Sequence, residues 1–147
     1  MNWLFAVAAV AAGAATAFQA GMNVQLRTSL GSSLIATVVN FLVGLGFLGL
    51  AMLAVRTPLP SGAAMSSVPW WAWGSGVMGC LFVVTVALTG RELGAVALFG
   101  YILVGQLVAA VIIDHYALVG LPLREFSTQR LFGCALILFG AYLAERG

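Results

Sequence analysis

The chain has no lysine, one histidine, two cysteines and only four carboxylates in 147 residues. Charged residues make up 7% of it, where a soluble domain carries roughly 25%. A water-facing surface cannot be covered from so small a stock. The two cysteines, Cys80 and Cys134, fall inside apolar runs and supply neither a disulfide framework nor a zinc spacing. Both read as small packing residues. A lone histidine, His115, gives no ligand pair, and no glycine-rich phosphate loop occurs. The net charge of +2 is spread over loop ends, which does not build a nucleic-acid-binding face. No cofactor, metal or catalytic group is expected, and an enzyme is the least supported class.

What the chain has is hydrocarbon. Hydrophobic residues reach 63% and mean hydropathy is +1.11. A membrane-spanning helix takes about 20 mainly apolar residues, at roughly 1.5 Å of rise each. Five stretches meet that length: 3–24, 30–55, 71–89, 93–116 and 127–143. The chain therefore reads as an all-α polytopic membrane protein, one transmembrane domain over 1–147. Charge or turn residues bound the spans: Arg27, Arg56, Arg91 with Glu92, and the loop from Gly120 to Glu125. Ser127 is the expected N-cap of the last helix. That helix is the shortest, and Arg130 must snorkel for it to reach the interface. The stretch Thr57–Pro69, rich in Pro, Ser, Ala and Gly, is expected to be the longest exposed loop. Met1–Ala20 lacks the basic start of a signal peptide and reads as a retained helix.

Arginine placement normally sets orientation in the bilayer. With five spans, Arg56, Arg124 and Arg130 share the side of the N-terminus, and Arg27, Arg91 and Arg146 lie opposite. The sides are equal. Either six charges tie by chance and another signal decides, or the chain inserts both ways and pairs as an antiparallel homodimer. An odd span count gives the second account its geometry, because two copies would form the inverted repeat of many transporters.

In lipid, small and polar side chains mark the faces that pack. Ala9, Ala12, Thr16, Gln19 and Asn23 share one side of the first helix; Ser33, Ala36, Thr37, Asn40 and Gly44 share one side of the second. Glycines and alanines do the same on the third and fifth. Asn40 and Gln106 lie near the middle of their spans, where an unsatisfied amide costs several kcal/mol. Each needs a partner, which is another helix, water or a solute. Gln19 and Asn23 are expected nearer one end of their helix. Asp114, about two turns beyond Gln106, is either an interfacial carboxylate paired with Arg124 or Arg130, or the ion-coupling acid of a transporter. Glu92, Glu125 and Glu145 adjoin arginines and read as interfacial pairs. Trp70, Trp71 and Trp73 read as an aromatic belt, or as a gate or cation-binding face.

The run Trp70, Trp71, Gly74, Gly76 and Gly79, followed by Gly94–Ala95, Gly105–Gln106, Asp114, Pro122, Arg130, Gly133 and Gly140, resembles the YdcZ-type branch of the drug/metabolite transporter superfamily. Asn23, Phe41 and Gly44 also fit. The chain departs from the family pattern at Gly31–Ser33, where a proline is frequent, and at Ala117, where a glycine is frequent. The resemblance implies a five-helix half-transporter of exporter type in the cytoplasmic (inner) membrane, whose larger relatives join two halves with inverted topology.

The function expected is secondary transport of small organic solutes by alternating access. Two copies would enclose a midplane cavity lined by Asn40, Gln106, Gln19 and Trp73, with Asp114 the candidate for ion coupling. Two alternatives remain at this level: a small dual-topology ion channel, and an accessory membrane protein with no transport of its own. The partners implied are a small solute, the lipid bilayer and a second copy.

Overall fold

In a computed structural model, residues 3–124 and 127–146 are described, the side chain of Glu145 excepted. Glu125 and the Glu145 carboxylate, expected in interfacial pairs, therefore lie outside the described residues. Every regular element in the described part is helical. In chain order these are α1 (Trp3–Leu30), α2 (Ser33–Val55), a short α3 (Gly62–Ser66), a 3₁₀ turn (Trp70–Gly74), α4 (Ser75–Tyr116), a second 3₁₀ turn (Leu118–Gly120) and α5 (Thr128–Arg146). Among the described residues, three stretches are long and apolar enough to cross a membrane: Trp3–Leu30, Ser33–Val55 and Trp70–Tyr116. Thr128–Ala144 is apolar but shorter.

The break expected between spans three and four is present, but it lies at Gly94, a few residues beyond the charged pair. Spans three and four, expected to be parted by Arg91 and Glu92, are helical throughout except at Gly94, with φ 74° and ψ 167°. Arg and Glu are good helix formers and give the backbone no reason to stop. Gly94 does, because its conformation is open essentially to glycine alone. Two helical segments, 75–93 and 95–116, result.

α1 is longer than expected for a related reason. Nothing breaks it at Val24, and it runs to Leu30, where Gly31 at φ 70° returns its N–H to the Arg27 carbonyl at 2.9 Å. A left-handed glycine is a common helix stop. α2 then starts on Ser32, whose hydroxyl accepts from the Ile35 N–H. It ends with Arg56 in the left-handed region, where the Arg56 and Thr57 N–H groups close on Leu53 and Met52 carbonyls. Inside the expected loop Thr57–Pro69, Ser61 caps the single turn of α3. The expected cap of the last helix is present: Ser127 Oγ accepts from the Arg130 N–H at 3.2 Å.

The chain divides into two compact units, 1–91 and 92–147. In the first, α1 and α2 pack as an antiparallel hairpin. Ala20, Asn23, Ala36, Thr37, Val83, Val86 and Ala87 are its buried residues. Small side chains let helical backbones approach closely, as lipid-embedded packing requires. Ala36 and Ala87 were expected at such contacts. The stripe of Ala9 and Ala12, also expected to pack, is exposed in the single copy. A Cβ at Gly79 would lie 3.6 Å from Phe41 Cζ, so the 75–93 segment approaches α2 there. In the second unit, Gly100 faces Ala141 of α5 at comparable range. Outside these contacts the large apolar side chains are exposed, among them Phe18, Phe47, Leu53 and Phe139. In water that surface would be untenable, whereas in hydrocarbon it costs nothing.

Candidate functional site

The α1–α2 hairpin creates the first polar feature. Its register sets Gln19 opposite Asn40, with Gln19 Nε2 donating to Asn40 Oδ1 at 3.5 Å. That is the outer limit of a hydrogen bond, so the pair is loosely held. Because α1 extends to Leu30, Gln19 is about three turns from the helix end, deeper than its expected interfacial position. Around the two amides lies an open cleft of about 480 Å³, walled by Phe41, Leu45 and Leu48. No charged side chain lines it among the described residues. Volumes of about 300–1,000 Å³, mostly apolar with a few placed polar groups, are typical of small-molecule sites.

One turn from Gln19 toward Leu30, Asn23 is 2% exposed, and its Oδ1 has no hydrogen-bond partner among the described residues. A buried acceptor left unmade costs about 1–3 kcal/mol. One turn further, Arg27 is half-buried and its Nη1 donates to the carbonyls of Ala87 and Leu88 at 3.1 and 3.0 Å. A cation there meets the negative end of the 75–93 segment. Arg27 was expected only as a boundary charge; its role as a tie between α1 and α4 was not legible, since nothing in sequence links positions 27 and 87.

Four threonines satisfy themselves. Thr16, Thr28, Thr37 and Thr89 each donate to the carbonyl four residues back, at 2.8–2.9 Å. Their hydroxyl protons are thus committed within their own helices.

In the second unit the polar contacts gather at the α4–α5 connection. Arg130 Nη2 pairs with Asp114 Oδ2, and Arg130 Nη1 donates to the Arg124 carbonyl at 3.2 Å. The Arg124 N–H closes back on the Asp114 carbonyl at 2.8 Å. Asp114 thus takes Arg130 as its counter-charge, one of the two partners anticipated, and is 22% exposed against 41% for Arg130. Between them Ala117, Val119 and Gly120 all have positive φ. His115 stacks edge-on against Tyr116 at 4.8 Å.

Gln106 is exposed and makes no side-chain hydrogen bond among the described residues. Trp73 is exposed and stands outside the cleft lining, while Trp70 is 86% exposed, as belt residues are. Of the five residues singled out for the site, the structure joins Gln19 to Asn40 and does not add Trp73 to them. Cys80 and Cys134 are both free. No group of three His, Cys, Asp or Glu side chains suited to a metal occurs among the described residues.

Comparison with known proteins now bears on this arrangement. Residues 4–143 match the family described as "Putative inner membrane exporter, YdcZ". The chain is 28% identical over 138 residues to "Inner membrane protein YdcZ" of Escherichia coli (strain K12), covering 93% of this chain and 91% of that protein. No solved structure matches. A match running almost from end to end shows the family, and the apolar helices agree with its location: the chain belongs to the YdcZ branch of the drug/metabolite transporters and is an inner-membrane protein.

Proposed function

We propose that the chain is one half of a secondary transporter that exports small organic solutes by alternating access, two oppositely oriented copies enclosing the path. The observation that carries this reading is the amide-bearing cleft of the α1–α2 hairpin, sited between helices otherwise facing hydrocarbon. Transporter sites sit at such depth, between repeats of opposite topology. Five crossings are obtained when the break at Gly94 counts as a turn and α5 as a short span. Equal arginine numbers on the two sides then permit both orientations. Gln106 supports pairing, because an exposed amide on a membrane helix needs a covering partner.

Asp114 is the candidate for ion coupling in this scheme, and contact with a coupling ion would require its pair with Arg130 to open. The four threonine hydroxyls bonded to their own helix carbonyls have no proton left for a passing anion, which weighs against an anion-conducting file. Reconstitution into vesicles tests the proposal. Solute efflux should be saturable, and Gln106→Leu should abolish it while the protein still assembles. Wild-type flux in that variant removes Gln106 from the path, and potential-driven current far above transporter turnover replaces the proposal with a channel. Adding two lysines within residues 57–69 should force one orientation. Undiminished efflux from that variant sinks the antiparallel pair.

A further inference from the structure

The cleft carries information about what it can hold, and this inference rests on reading it as the solute site. Among the described residues, its only hydrogen-bonding side chains are Gln19 and Asn40. Their contact uses one donor of Gln19 and one lone pair of Asn40. Gln19 Oε1 remains as an acceptor and Asn40 Nδ2 as a donor. Turning both amides over leaves one free acceptor and one free donor again, so the conclusion does not depend on their assignment. At 3.5 Å the pair is also loose enough for a ligand to insert between or beside its members.

The cleft offers nothing to a charge. No carboxylate and no cation lines it among the described residues. Arg27 lies two turns along α1 from Gln19, roughly 12 Å away along the helix axis, with its Nη1 occupied on the Ala87 and Leu88 carbonyls. Phe41 presents one ring, with its tip against Gly79, which is not an aromatic cage for a quaternary ammonium. An ion entering from water would lose its hydration with no counter-charge in return. A neutral group that donates once and accepts once loses nothing, because both amides answer it.

We propose that the α1–α2 cleft binds uncharged solutes that carry a carboxamide-like donor–acceptor pair on an apolar body. The apolar walls, Leu45, Leu48 and Phe41, take the body; Gln19 and Asn40 take the head. An amphiphilic neutral solute is also the kind that partitions into the membrane, from which an open cleft between lipid-facing helices is reached directly.

Three probes of one shape and different charge test this: 2-naphthamide, 2-naphthoate and 2-naphthamidinium. Binding to the purified full chain in lipid nanodiscs is measured by equilibrium dialysis at neutral pH. The amide should bind roughly tenfold more tightly than either ion, or better. Asn40→Leu should erase that preference, and Asn40→Asp should transfer it to the amidinium. Circular dichroism confirms that each variant keeps its helices. Equal or tighter binding of an ion, binding of none of the three, or a preference that survives Asn40→Leu would each overturn the inference. Efflux from loaded vesicles is scored separately. Selective binding without efflux leaves the inference standing and removes the transporter reading.

Discussion

The two units of this chain handle polar groups in opposite ways. Residues 1–91 carry theirs inside the helical stretch: a loose amide pair at Gln19 and Asn40, an orphaned acceptor on Asn23, and Arg27 tied to backbone carbonyls. Residues 92–147 gather theirs at one end, where Asp114, Arg124 and Arg130 lace the α4–α5 connection, and leave Gln106 exposed along the helix. The first pattern is costly and underused in a resting structure. The second, Gln106 apart, is a knot of mutually satisfied contacts. Groups left wanting partners inside a membrane helix mark places where something else must bind or move, while a satisfied knot marks a place that holds shape. On the function proposed above, the first unit offers the solute an amide pair, and Gln106 of the second still needs a covering partner.

That contrast can be broken or sharpened by substitution. The largest effect is expected at Gly94, the helix break just past the boundary between the two units. Gly94→Ala forces a side chain into a conformation costing about 1–3 kcal/mol. The midpoint of thermal unfolding in detergent should drop, and an unchanged midpoint would mean that the break is not held. Next comes Asn23→Leu, which removes an unsatisfied acceptor and should leave stability unchanged or raise it by about 1–2 kcal/mol. A clear loss there would show that Asn23 Oδ1 has a partner and that the first unit is as well satisfied as the second. The smallest effect is expected for Arg130→Ala. It strips a part-exposed ion pair worth about 1 kcal/mol or less, and limited proteolysis at 117–127 should quicken before global unfolding shifts. Faster cleavage at 57–69 instead would contradict the role given to the knot.

Much of this architecture was legible in the residues, for reasons that can be stated. Helix beginnings were readable where a serine precedes an apolar run: Ser127 caps α5 as expected, because a short hydroxyl side chain reaches the free N–H groups. The Asp114–Arg130 pair was anticipated because few charges were available to meet each other. Helix ends were less readable. Charged residues mark the membrane surface but do not stop a helix, so α1 passed Arg27 and α4 passed Arg91 and Glu92; the true punctuation was Gly31 and Gly94. At the site, Gln19 and Asn40 could each be singled out as costly amides. Their meeting depended on hairpin register, which the short Gly31–Ser32 link sets and which polar patterning alone does not reveal. Contacts onto backbone carbonyls, such as those of Arg27, leave no trace in side-chain pattern at all.

The grip of Arg27 on Ala87 and Leu88 also governs which insertions the gene can accept. One extra residue placed between Asn23 and Arg27 would swing the guanidinium by about 100° around its helix, off both oxygens. The same residue added among 57–69 would disturb no such grip, since the side-chain hydrogen bonds of Ser61, Ser66 and Ser67 stay within three residues of home. Length is thus free to drift on the loop and locked on the final turns of α1, as a key is indifferent at its bow and exacting at its bit.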